Sequence, residues 1–203
     1  MIGSFLNELL GAVMQLLLFS LIPFLWWGIT ARKKCNFFEW IGIKRITHNK
    51  NIMFTLGITV LSAIVYCVLN YACIFFISNE ITTAGSQFAG MGIAAIPAAL
   101  VYAYIRTGLA EEILFRGFIL KRIKDRFGFG AGNLVQALLF GLLHGIPFGF
   151  VTHNFVVVVL LTILPGAFGW YQGWLNEKRC GESILPSWML HGTMNFLVTI
   201  LSL

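Results

Sequence analysis

The chain has 203 residues, 58% of them hydrophobic and only 11% charged, where soluble domains are about one-quarter charged. Its mean hydropathy is +0.84, and a soluble protein this apolar has too few polar groups to cover its surface. Four cysteines and an aperiodic glycine content exclude a disulfide scaffold and a collagen-like chain, and the apolar composition excludes disorder. A multi-span membrane protein remains.

Residues 9–30 carry no charge, long enough for a helix to cross roughly 30 Å of hydrocarbon. No basic stretch precedes them and no A-x-A site follows, so they read as a retained span and not a cleaved signal. Arg32, Lys33, Lys34, Lys44, Arg45 and Lys50 then form a basic cluster, and residues 51–79 are a second uncharged run. Residues 88–105 are the third apolar stretch, with Pro97 predicted to kink it. The next segment, 107–121, is apolar yet carries Glu111, Glu112 and Arg116, and either crosses the membrane or enters it part-way. Lys121, Arg122, Lys124 and Arg126 make a second basic cluster. Gly145, Pro147 and Gly149 predict a break in the long uncharged run that follows, giving spans near 131–146 and 151–175. Pro165-Gly166 is expected to bend the latter, and residues 183–203 are the last span.

The expected fold is an all-α, polytopic transmembrane helix bundle of about seven membrane helices with the active site inside it. One membrane-embedded domain covers 1–203, since no linker, low-complexity tract or repeat marks a second. The net charge of +6 is concentrated in the two basic clusters. Flanking apolar spans, they read as loops touching anionic lipid and not as a nucleic-acid surface. Cys35, Cys67, Cys73 and Cys180 have neither C-x-x-C nor metal-ligand spacing and read as ordinary thiols.

An ionisable group at membrane depth costs at least about 2.5–3.5 kcal/mol, so each one needs a reason. On a helix Glu111 and Glu112 point about 100° apart and cannot serve one point in space. Glu112 and Arg116, at i,i+4, can pair along one face, which leaves Glu111 without that partner. A plain charge cluster at a helix end near the interface is the bland alternative. His144 lies four residues after Phe140 between Gly141 and Gly145, a pair of small residues that lets another helix approach. His191 lies inside the last span with Asn195 one turn on; His48 and His153 sit near loops and have no assigned role. Each polar group at depth is costly unless it meets a polar partner, and these residues are the expected partners of one another. An antiparallel helix pair would bring Glu111 to His144. A carboxylate beside an imidazole can deprotonate water, and an imidazole with an amide one turn away can stabilise an oxyanion. With no G-x-S-x-G and no cysteine beside the histidines, the set suits hydrolysis of a carbonyl compound by activated water.

E-E-x-x-x-R at Glu111, Glu112 and Arg116, F-x-x-x-H at Phe140 and His144, and H-x-x-x-N at His191 and Asn195 resemble the three motifs of the CPBP (Abi) intramembrane proteases. That family includes type II CAAX-prenyl endopeptidases and bacteriocin-processing or self-immunity proteins. The resemblance covers about 106–203, the motif-bearing core. It implies Glu111 as general base acting with His144 on water, His191 and Asn195 as the oxyanion site, and Glu112 with Arg116 as a pair shaping the site alongside Phe140. It implies an intramembrane endopeptidase without a cofactor, acting on a peptide or protein substrate in a lipid bilayer. The small size and simple loops point to a multi-pass protein of a prokaryotic cytoplasmic membrane that cleaves leader or signalling pro-peptides. One alternative puts zinc between Glu111, His144 and His191. Others are a non-catalytic bacteriocin-immunity or scaffold protein, and, last, a small proton-relaying transporter.

Overall fold

A computed structural model describes residues 2–47, 51–77 and 84–201. His48, Lys50, the end of the second uncharged run at Asn79 and the chain end at Leu203 lie outside the described residues. Every regular element among the described residues is helical. In chain order these are α1 (Ile2–Thr30), α2 (Phe37–Ile41), α3 (Ile52–Ile77), two short 3-10 turns (Ala84–Phe88 and Ile93–Ala95) and α4 (Ile96–Leu100). A π-helical segment (Val101–Leu109), α5 (Ala110–Glu112) and a second π segment (Ile113–Leu120) follow. Then come α6 (Lys121–Thr152), α7 (Phe155–Trp174), a π turn (Leu175–Arg179) and α8 (Leu185–Ile200).

Helix is what an apolar medium demands of these sequences, because it satisfies backbone donors and acceptors within one segment. Among the described residues, four helical stretches are long and apolar enough to cross a membrane: Phe5–Thr30, Ile52–Cys73, Ile93–Thr152 and Phe155–Arg179. The sequence reading divides the third, of 60 residues, into three of its seven spans. The 16 residues of α8 reach about 24 Å at 1.5 Å per residue, short of a full crossing.

Two expected breaks fall elsewhere. Pro97 does not kink a helix; it stands in the first turn of α4, where its missing N–H has no partner to lose. The Gly145–Pro147–Gly149 stretch does not end α6 either, which runs on to Thr152. Pro147 has no N–H to offer Leu143 O one turn back, yet the helix continues to its end, where the Thr152 hydroxyl donates to Phe148 O at 2.9 Å. The chain turns instead at His153, in the left-handed region at φ 50°, and Asn154 caps α7 by accepting from Val156 N at 2.9 Å. The true kink of α6 is at Gly128, whose φ of 84° a side chain would oppose.

The chain folds as two compact units. The first comprises the described parts of 1–46, 83–118 and 183–203. In it Ile41, Ile113 and Ile184 form a buried cluster with Leu16, Leu109 and Phe118, and Phe88, Ala98, Tyr102 and Ala103 form another with Phe5 and Phe196. Leu10, Leu17, Leu18, Ile22 and Ile29 of α1 are exposed, an apolar surface suited to lipid chains. Glu8 of α1 binds Arg106 of the first π segment at 2.9 Å, with Glu8 itself buried.

The second unit comprises the described parts of 47–82 and 119–182. α6 and α7 pack there with fully buried Asn133, Gln136 and Gln172 between them. Asn133 Nδ2 donates to Trp170 O, and Gln136 Nε2 to Gly169 O and to Asn133 Oδ1, all at 2.9 Å. The charges of this unit gather at a helix end, where Lys121 and Lys124 share the carboxylate of Glu177 at 3.0 and 2.5 Å. Cys180 beside them is buried, and that burial pushes its thiol above the ordinary range, in line with an unreactive cysteine.

Candidate active site

α5 is a three-residue α-helical turn between two π segments, and it carries both glutamates. π turns of this kind recur at functional sites because they re-aim side chains relative to a regular helix. Glu112 and Arg116 have no solvent exposure at all, and Glu111 and His191 are buried.

Glu112 is surrounded by donors. Arg116 Nη1 lies 3.2 Å from its Oε1, His191 Nδ1 lies 3.1 Å from the same oxygen, and the Ser187 hydroxyl donates to Oε2. A carboxylate facing a guanidinium can only accept, so Nδ1 of His191 carries a proton and Nε2 is left to face outward. It faces Glu111, whose Oε2 is 3.6 Å away. That oxygen is buried and has no hydrogen-bond partner among the described residues. One glutamate is thus committed to holding the histidine, and the other presents a bare acceptor beside it.

Asn195 lies one turn along α8 from His191. Its Nδ2 donates to Thr107 Oγ1 at 2.9 Å, and Thr107 Oγ1 lies 3.0 Å from Tyr102 O and 3.2 Å from Ala103 O. α8 reaches the first π segment closely because both faces are cut back. A Cβ on Gly108 would lie 2.7 Å from Ala103 O and 3.5 Å from Gly192 Cα. Trp188 Nε1 donating to Tyr104 O at 2.6 Å and Tyr104 Oη paired with Thr193 Oγ1 at 2.9 Å secure the same contact.

In the second unit, His144 Nδ1 donates to Phe140 O, one turn back on α6, at 2.8 Å. A carbonyl only accepts, so here too Nε2 is the nitrogen left for other work. The buried Phe140 ring packs 4.6 Å from the imidazole and fixes its tilt. Gly141 lies where a methyl group would strike Thr162 O of α7, which is why that position is small.

The first unit therefore brings together Glu111, Glu112, Arg116 and His191, with Asn195 a turn away, and the second holds Phe140 and His144. Sequence reading overlooked Ser187 and Thr107. Each stands four residues before a motif residue, Ser187 before His191 and Thr107 before Glu111, and that shared helix face was the available signal. For zinc, the first unit alone offers Glu111 Oε2 and His191 Nε2, short of the three protein ligands of a catalytic site. Among the described residues no group of three or more His, Cys, Asp or Glu side chains is arranged to hold a metal ion.

The family model for the type II CAAX prenyl endopeptidase Rce1-like proteins matches residues 92–197, just over half of the chain and every motif residue named above. The chain belongs to the Rce1-like family. No curated protein and no solved structure matches it. Membership makes this Rce1-like chain an intramembrane endopeptidase in general terms, an integral membrane hydrolase whose substrates are peptides at the membrane.

Proposed function

We propose that this Rce1-like protein cleaves peptide bonds with a water molecule deprotonated by Glu111, assisted by His144, while His191 and Asn195 stabilise the oxyanion. The carrying observation is the buried, unpartnered Glu111 Oε2 beside an imidazole whose orientation Glu112 sets. A carboxylate oxygen without another hydrogen bond is a competent base for a water bound against it. Water oxygen adds to the scissile carbonyl carbon as its proton passes to Glu111, and the carbonyl electrons move to oxygen. Donors already in place meet that charge without reorganising. Collapse breaks the C–N bond, and the proton on Glu111 goes to the leaving amine. His191 donates from Nε2 only with both ring nitrogens protonated, since Nδ1–H is held by Glu112. Glu112 and Arg116 shape the site, the pair holding the histidine as well as each other.

The reading extends to a single domain of about seven membrane helices in a prokaryotic cytoplasmic membrane, processing leader or signalling pro-peptides without a resident metal. A zinc-dependent protease is the second reading, favoured by the approach of Glu111 Oε2 to His191 Nε2 at 3.6 Å. Glu111→Gln keeps shape and removes the base, so cleavage of a membrane-anchored leader-peptide reporter falls about 10²-fold or more with the melting temperature unchanged. Near-native turnover by the folded variant would refute the base, and a folded wild-type protein without turnover would leave the non-catalytic scaffold reading standing. Turnover that survives exhaustive chelation separates the metal-free enzyme from the zinc one.

A further inference from the structure

We propose that Thr107 is a positioning residue: it fixes which way the Asn195 carboxamide faces, and so which of its groups is offered to the reaction. This rests on the reading of Asn195 as an oxyanion donor.

A carboxamide has two nearly equivalent settings, related by a half-turn about its last bond, and only one puts N–H toward a given point. Thr107 removes that ambiguity. Its hydroxyl has one proton, and its two backbone neighbours, Tyr102 O at 3.0 Å and Ala103 O at 3.2 Å, can only accept. The proton is therefore spent on the backbone, and Oγ1 meets Asn195 as an acceptor. Only the nitrogen side of the carboxamide can satisfy it, at 2.9 Å; a flipped amide would set two acceptors against each other. One Asn195 N–H is thus consumed and the second is left as a donor of fixed direction. The arrangement depends on the first π segment, which places Thr107 Oγ1 over the carbonyl five residues back, and on the close packing at Gly108 and Gly192. Valine has the shape of threonine and cannot accept, so it would leave the amide free to turn.

The test is a double-mutant cycle in proteoliposomes with a membrane-anchored leader-peptide reporter, paired with nitrogen-15 spectra of the Asn195 side chain. Thr107→Val is expected to lower kcat about 10-fold, the size of one neutral hydrogen bond, with KM unchanged. Thr107→Ser should restore wild-type turnover, and Thr107→Val should cost nothing further in an Asn195→Ala background. The spectra should show the Asn195 side-chain amide resonances moved toward the positions of an unbound asparagine, with a lower order parameter, in Thr107→Val. Should Thr107→Val accumulate poorly, Thr107→Ala takes its place in the same cycle and spectra. Wild-type kcat in the position-107 variant, a loss that adds to that of Asn195→Ala, or an unchanged amide signal would each overturn the proposal. An Asn195→Ala protein that turns over like wild type would instead remove the oxyanion reading, and this inference with it.

Discussion

The two units bury polar groups by opposite means. In the first, full charges lie at depth: Glu112 and Arg116 are wholly enclosed and Glu111 keeps an oxygen without a hydrogen bond. In the second, the polar groups buried between the two long helices are neutral amides, and Asn133 and Gln136 spend their N–H groups largely on backbone carbonyls of the adjoining helix. Its buried cations stand at helix ends, Lys121 beside half-buried Lys124 on the Glu177 carboxylate and Arg179 on the Thr55 hydroxyl. Amides that bond to backbone lock two helices together at modest cost, whereas buried charge is tolerated only when each member of a network holds another. The difference marks where polarity serves packing and where it serves chemistry.

That contrast can be broken most forcefully at Arg116. Arg116→Ala strips Glu112 of its guanidinium and should cost about 3–5 kcal/mol, read as a fall in thermal stability and membrane yield. The double change Glu112→Gln with Arg116→Met should recover part of the stability but not the turnover, because a neutral amide does not hold the His191 ring as the carboxylate does. An Arg116→Ala protein as stable as wild type would show the pair to be hydrated.

In the second unit the sensitivity should be to size. A Cβ on Gly132 would lie 2.6 Å from Leu120 O and 2.8 Å from Lys124 N, backbone atoms that cannot easily yield. Gly132→Ala is expected to cost about 1–3 kcal/mol in an unfolding titration while the folded fraction keeps its kcat. The smallest effect belongs to the amides. Asn133→Ala should lose about 0.6–2 kcal/mol, the range for interhelical hydrogen bonds in membranes, again without changing kcat. A large catalytic defect in a well-folded Asn133→Ala protein would erase the distinction between the two regions.

Much of the first unit's chemistry was legible because it is intrahelical. Glu112 and Arg116 stand one turn apart in sequence and 3.2 Å apart in space, and His191 precedes Asn195 by a turn on α8. His144 and Phe140 share a face of α6 for the same reason, and the small residue at Gly141 does face a neighbouring helix. Local breakers were a poorer guide. Pro97 starts a helix and Pro147 fails to end one, because the cost of a lost backbone bond depends on whether water can take its place.

By itself, then, the sequence determined an apolar, helical, membrane-embedded chain with its ionisable residues at set intervals along a few helices. Composition and the helical period suffice for that. Only the tertiary structure decided that Glu112 holds His191 from 79 residues away, that Ser187 shares that carboxylate, and that Thr107 takes an Asn195 N–H across 88 residues. Such contacts join different helices, so they are set by how closely two faces pack and which way a ring or an amide is turned, quantities that no local spacing encodes.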